Sequence, residues 1–306
     1  MALRMDPMNH ACGPAARAAI AVNGREAAGT ACPSLGELLI ERRLLERADV
    51  GRVLAQQQRS GQRFGEAVVA LGLASGDAVL SALVHQYRYP CALVTDVQPH
   101  ADLVVLRDPF GHRAECYRSL RAQLTLLAAW TARPLSLAVI GPQHADGRSV
   151  AAANLAVALA QRGTPTVLVD ADLRRPRQQS LFALSEGPGL SAVLGGRAGL
   201  EAVQALRDVP GLSVLGAGAP PPNPLELLEG PTFQALIGEL AGRFEAVVVD
   251  TPAAALGADA ALVASRCSHA LLVARRGRSR LADLARLQAQ VARGGTPIAG
   301  VLLNEH

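Results

Sequence analysis

Gly141-Pro142-Gln143-His144-Ala145-Asp146-Gly147-Arg148-Ser149 lies between an apolar run at 135–140 and a helical pattern at 150–162. A helix N-terminus presents unpaired N–H groups and the positive end of its dipole to an anion. The segment is therefore expected to be a phosphate loop. The backbone amides of Asp146, Gly147, Arg148, Ser149 and Val150 and the side chain of Arg148 would hold phosphates, and the Ser149 hydroxyl would ligate Mg2+. Two residues depart from the standard loop: Arg148 stands for lysine, and Pro142 for a small residue. Three acids complete the set. Asp170 and Asp172 follow the apolar run 166–169, and Asp250 follows 246–249. Mg2+ on nucleotide phosphates takes one or two carboxylates and keeps several waters. A helix cap would explain any one of these aspartates, but not the ordered set.

These residues need a scaffold that brings them to one crevice. Short apolar runs at 135–140, 166–169, 212–215, 246–249, 270–273 and 298–303 alternate with helical patterns. That alternation predicts an α/β fold with a parallel sheet and helices on both faces, whose ligand sits beyond the carboxyl ends of the strands. Residues 94–113 carry Asp, Pro and His without a period and are expected to be a linker, with the sheet domain at 114–306. Residues 32–93 repeat themselves. Leu35-Gly36-Glu37 returns 29 residues on as Phe64-Gly65-Glu66, and Leu39, Val50, Leu54 and Gln57 match Val68, Val79, Leu83 and Gln86. Apolar spacings of three and four within each unit predict two short helices per unit, packed as a small all-helical module. Residues 1–31 lack the apolar stretch and cleavage site of a secretory signal and are expected to be a disordered leader.

Composition narrows the function classes. A chain of 306 residues with 50% hydrophobic content can bury substantial cores, and its length suggests about two domains. The apolar stretch 124–140 is broken by Arg133 and Pro134, so no membrane span is expected and the chain is placed in the cytoplasm. Five scattered cysteines fit neither a disulfide framework nor a zinc site. The net charge of +4 is spread along the chain and aromatics are 3%, so nucleic acid is not an expected partner. All 30 basic residues are arginine, so Arg148 also follows a bias of the whole chain.

The ordered motifs carry a family likeness. Asp170-Ala171-Asp172-Leu173-Arg174-Arg175-Pro176, then Gly189-Leu190-Ser191-Ala192-Val193-Leu194, then Pro221-Pro222-Asn223-Pro224-Leu225-Glu226-Leu227-Leu228, and finally Asp250-Thr251-Pro252 resemble the successive signatures of bacterial tyrosine kinases of exopolysaccharide export. The likeness covers about 114–304. It implies a deviant Walker, ParA/MinD-like P-loop fold and transfer of a phosphoryl group from Mg·ATP to protein tyrosine. Ser149, Asp172 and Asp250 would hold the metal, Asp170 or Asp172 would act as base, and Asn304 would touch adenine. Glu115, Arg118 and Arg121 match an element that assembles subunits into rings. The expected partner is a membrane-anchored chain-length regulator that activates the kinase and supplies the tyrosine, keeping the chain peripheral to the inner membrane.

The leading module is similar to the N-terminal domain of type II secretion and pilus ATPases, some of which bind cyclic di-GMP. Arg63-Phe64-Gly65 and Gln86 fit that motif, while Ser34 and Arg43 depart from it in the first copy. The combination resembles EpsG-type chain-length-determinant kinases. Ala145 replaces a usual glycine, and no tyrosine cluster follows Asn304. Two rival readings are a catalytically weak nucleotide-sensing scaffold and a positioning ATPase of the same P-loop group.

Overall fold

The computed structural model describes residues 33–86, 100–131 and 134–305. The expected leader, 1–31, lies outside the described residues. The repeat appears as four helices, α1 (Leu35–Glu41), α2 (Arg47–Ser60), α3 (Phe64–Ala70) and α4 (Gly76–Gln86). Every helix start of the first unit recurs 29 residues later. So does the carboxylate that closes each first turn, Glu37 accepting the Ser34 N–H and Glu66 the Arg63 N–H. Leu38, Leu39 and Val53 meet Ala67, Val68, Val79 and Ala82 in an apolar core confined to this module. The turn after α1 needs a left-handed residue, and Arg43 (φ 57) supplies it where the second copy has Gly72 (φ 68).

Next come α5 (Val104–Arg107), α6 (His112–Thr131), β1 (Leu135–Ile140), α7 (Arg148–Gln161), β2 (Thr166–Asp170), α8 (Gln178–Leu181) and α9 (Leu190–Leu194). They are followed by β3 (Gln204–Ala205), β4 (Leu212–Leu215), α10 (Pro224–Glu229), α11 (Pro231–Arg243), β5 (Ala246–Asp250), α12 (Asp259–Ser265), β6 (His269–Arg275), α13 (Leu281–Arg293) and β7 (Ile298–Asn304). The strands form one sheet in the order β3-β4-β2-β5-β1-β6-β7. All neighbours are parallel except β3, which pairs antiparallel with β4 at one edge.

Both faces are covered, as parallel strands require. Leu137, Val139, Leu168 and Val248 point into a core with α5, α6 and α7, while Ala138, Ile140, Val169 and Val249 point into a core with α9 to α13. Helix α7 is buried on nearly every side, and its alanines let it lie close to the sheet. The expected linker needs correction at its described end. Leu103, Val105 and Leu106 are buried against α6 and α7, and the Asn154 side chain accepts the Val105 N–H and donates to the Asp102 carbonyl. Apolar residues at 103–106 were enough to make that segment part of the core. No helix among the described residues is long and apolar enough to cross a membrane.

Candidate functional site

The sheet order puts the carboxyl ends of β2, β5 and β1 side by side. Asp170 and Asp250 are register partners at the last positions of β2 and β5, so the two carboxylates start from adjacent backbones. The loop after β1 closes through its own residues. Asp146, fully buried, accepts the Gln143 N–H at 2.7 Å on one oxygen and the Ser279 hydroxyl at 2.8 Å on the other. Gly147 (φ 96) caps α7, and a Cβ there would fall 2.3 Å from Asn304 Nδ2. Asn304 itself donates to the Asp146 carbonyl at 3.1 Å. Ala145 also adopts a left-handed conformation (φ 63), which is why a glycine suits this position.

The helix starts at Arg148, two residues before the expected start, so Arg148 and Ser149 both belong to its first turn. Arg148 is buried and turned into the loop: Nε donates to the Thr251 carbonyl at 3.0 Å, and Nη1 donates to the Gln143 carbonyl. Burial depresses its pKa, against the charges of Asp250, Asp172 and Asp146, which support the cation. A guanidinium can bridge these two carbonyls because its donors are held in a rigid plane.

The three acids are placed differently. Asp170 is fully buried and both oxygens accept backbone amides: Oδ1 from Asp172 at 3.2 Å, Oδ2 from Arg177 at 3.0 Å and Gln178 at 2.9 Å. Burial and then the Asp250 charge hold its carboxyl well above the ordinary range, with those amides pulling it back. Asp172 accepts the Arg174 and Arg175 amides on Oδ1. Asp250 accepts Gln178 Nε2 at 2.8 Å on Oδ2, and its Oδ1 is buried without a partner. Burial pushes its pKa up to about 6, while the Gln178 amide, the Ser149 hydroxyl and the Arg148 charge lower it.

An orphaned carboxylate oxygen near a serine hydroxyl is the donor set that a hydrated Mg2+ takes, so the residues fit that ion. Among the described residues no cluster of three His, Cys, Asp or Glu side chains could hold a metal ion.

Gln178 is a site residue that the sequence did not reveal. One polar residue at the start of a four-residue helix has no distinguishing spacing. Ser279 and Arg275 were equally silent: Ser279 holds Asp146, and Arg275 donates to the Ala145 carbonyl.

The residues of α6 that match the ring-assembly element are engaged largely within the chain. Arg118 pairs with Glu115 at 2.7 Å and donates to the Pro109 carbonyl, and Arg121 donates to the Ala158 carbonyl. In the helical module, the Arg63 backbone N–H donates to Glu66, while Phe64 lies beside Gly36 and Gly65 beside Leu35, so Phe64 and Gly65 join the two repeats. The Gln86 side chain lies outside the described residues.

No protein-family model matches the chain. Tyrosine-protein kinase CpsD of Streptococcus agalactiae is 34% identical over 170 residues, which is 55% of this chain and 74% of that protein. Tyrosine-protein kinase ptk of Acinetobacter johnsonii is 32% identical over 191 residues, 62% of this chain. The chain spans only 26% of that longer relative. Among solved structures, the kinase domain of the Escherichia coli tyrosine kinase ETK superposes with a TM-score of 0.63 at 29% identity, covering 69% of this chain and 84% of that one. MinD of Pyrococcus horikoshii, solved with Mg-ADP, shares the fold at a TM-score of 0.51 and 24% identity over 56% of this chain and 70% of its own.

Proposed function

Because the chain belongs to the bacterial tyrosine-protein kinase family, we propose that it transfers a phosphoryl group from Mg·ATP to protein tyrosine in the control of exopolysaccharide chain length. The observation that carries this reading is the gathering of Ser149, Asp172 and Asp250 at the loop, with Asp250 Oδ1 buried and unpartnered. Ser149, Asp172 and Asp250 hold the metal, which when bound neutralises phosphate charge. The amides of Asp146 to Val150 cradle phosphates. Arg148, fixed by two carbonyls, contributes a positive charge that needs no rearrangement, and positioning with charge neutralisation is most of what phosphoryl transfer requires.

Asp170 has amides on both oxygens, whereas Asp172 Oδ2 accepts no hydrogen bond among the described residues. Asp172 is thus the freer ligand, and Asp170 shapes the loop around it. Asn304, beside Gly147, lies on the wall where the nucleoside would rest.

The acceptor is supplied from outside, by a membrane-anchored regulator that keeps the chain peripheral to the inner membrane. Tyr117 packs against the core and burial pushes its phenol up to about 12, so it does not serve as acceptor. Tyr87 and Tyr89 lie outside the described residues. Ring assembly through α6 would use mainly Glu115, the exposed member of its set. Cyclic di-GMP binding at the helical module would use the Arg63 guanidinium, since Glu66 engages only the Arg63 backbone N–H.

A second reading, a nucleotide-sensing scaffold, is favoured by Arg148, whose guanidinium is engaged by the loop itself. Phosphotransfer from labelled ATP to a tyrosine-bearing regulator tail separates the two. We expect transfer by the wild type, little autophosphorylation, loss in Asp250→Ala, and a fall of roughly tenfold in Arg148→Lys, because lysine cannot bridge both carbonyls. Equal background labelling by wild type, Asp250→Ala and Asp170→Ala would leave the scaffold as the function.

A further inference from the structure

Gln178 is fully buried at the first position of α8, and it touches three parts of the site at once. Its side-chain Nε2 donates to Asp250 Oδ2 at 2.8 Å and to the Ser149 carbonyl at 3.0 Å. Its backbone N–H donates to Asp170 Oδ2 at 2.9 Å. Both side-chain donor hydrogens are thereby used, while Oε1 is buried without a partner. Asp250 shows the complementary pattern, with Oδ2 taken by Gln178 and Oδ1 buried without a partner.

Two orphaned acceptors on two side chains that hydrogen-bond each other are an expensive arrangement. Each buried, unpaired acceptor is destabilising, and an apolar residue at 178 would avoid one of those costs. If Gln178 only tied α8 to the sheet, its backbone N–H to Asp170 would suffice. The side-chain amide instead selects which Asp250 oxygen is occupied within the protein. A residue that orients a metal ligand and meets the metal's water is an outer-shell partner, and such partners set ligand direction and affinity.

We propose that Gln178 is a positioning residue for the metal: its amide fixes Asp250 through Oδ2, leaves Oδ1 for the ion, and offers Oε1 to a water in the ion's shell. The inference rests on the reading of the site as a Mg–nucleotide site. It adds a role for a residue that touches neither phosphate nor acceptor.

The test is ADP binding to the full chain, measured by calorimetry with Mg2+ and again in EDTA, for wild type and Gln178→Met. Methionine keeps the length and removes both polar functions. The expected result is a loss of roughly tenfold in the Mg2+-dependent part of the affinity, at the lower end of what loss of an outer-shell partner costs, with ADP affinity in EDTA unchanged. Mn2+ with ADP gives a second readout, since the electron paramagnetic resonance spectrum of the bound ion should change in the variant. Equal losses with Mg2+ and in EDTA, or no loss in either, overturn the proposal. Should Gln178→Met fail to fold without nucleotide, Gln178→Leu is measured in the same way, and failure of both to fold makes the residue structural and overturns it. A wild type that binds ADP equally with Mg2+ and in EDTA removes the site reading itself, an outcome distinct from an indifferent Gln178.

Discussion

The helical module and the carboxyl end of the sheet are both built from paired elements, yet they treat polar groups in opposite ways. Among the described residues of the module, the buried ones are all aliphatic, and no polar side chain is fully buried. At the sheet, the matched ends of β2 and β5 bury two carboxylates, with Arg148, Asp146, Asp172 and Gln178 buried around them. Unsatisfied buried charge and orphaned acceptors are what selection for stability alone would remove. Their concentration at one end of the sheet, against their absence from the module's core, separates a region shaped by a ligand from one shaped by packing.

The largest expected effect breaks the ligand side of that comparison. Asp250→Ala should lower Mg2+-dependent ADP affinity by roughly two orders of magnitude. It should leave the thermal unfolding of the ligand-free chain little changed, because the variant removes a costly buried carboxylate together with one hydrogen bond. Calorimetry and a melting curve check the two halves. A large drop in melting temperature would mean that Asp250 is a packing residue after all.

The next effects sharpen the packing side, where the two repeats serve as each other's control. A Cβ at Gly65 would meet Val79 Cγ1 at 2.7 Å, whereas one at the equivalent Gly36 would meet only the Phe64 ring edge at 3.4 Å. Gly65→Ala should therefore cost about 1–3 kcal/mol by overpacking, and Gly36→Ala much less, in denaturant unfolding of the module. Arg43→Gly should have the smallest effect and the opposite sign. Relief of a left-handed arginine is worth about 1 kcal/mol, partly offset by the greater freedom of glycine when unfolded. None of these three changes should alter ADP binding, since all lie in the module.

Much of this architecture was legible in the sequence, for a physical reason. Parallel strands buried on both faces read as uninterrupted apolar runs, so the six long strands stand where those runs are. The runs stop one residue early at β2 and β5, because Asp170 and Asp250 belong to the strands and no propensity assigns a buried carboxylate there. Strand β3 has only two residues and pairs antiparallel at an edge, which leaves no pattern to read. The repeat was visible because its capping, turn and core positions all share one offset. The site was legible in its acids and its loop, and illegible in Gln178, Ser279 and the amides around Asp170. The Gln178 and Ser279 contacts depend on distant segments folding back, 72 residues apart for Gln178 and Asp250 and 133 for Ser279 and Asp146, and the amides around Asp170 depend on the path of an irregular loop.

Burial holds protons on the site's carboxyls until a metal–nucleotide complex takes their place. With the Asp250 pKa raised from 3.8 to about 6 and that of Asp170 raised as well, the folded ligand-free chain holds protons that the unfolded chain has lost. Its stability from Asp250 is present below 3.8 and falls as pH rises through about 6, while metal affinity rises over the same interval. Titration of Mg·ADP into the full chain at pH 6, in two buffers of different ionisation enthalpy, measures this directly. Release of roughly half a proton or more on binding, falling away by pH 8, is the predicted result. Binding with no proton release at either pH, or no binding, would contradict it.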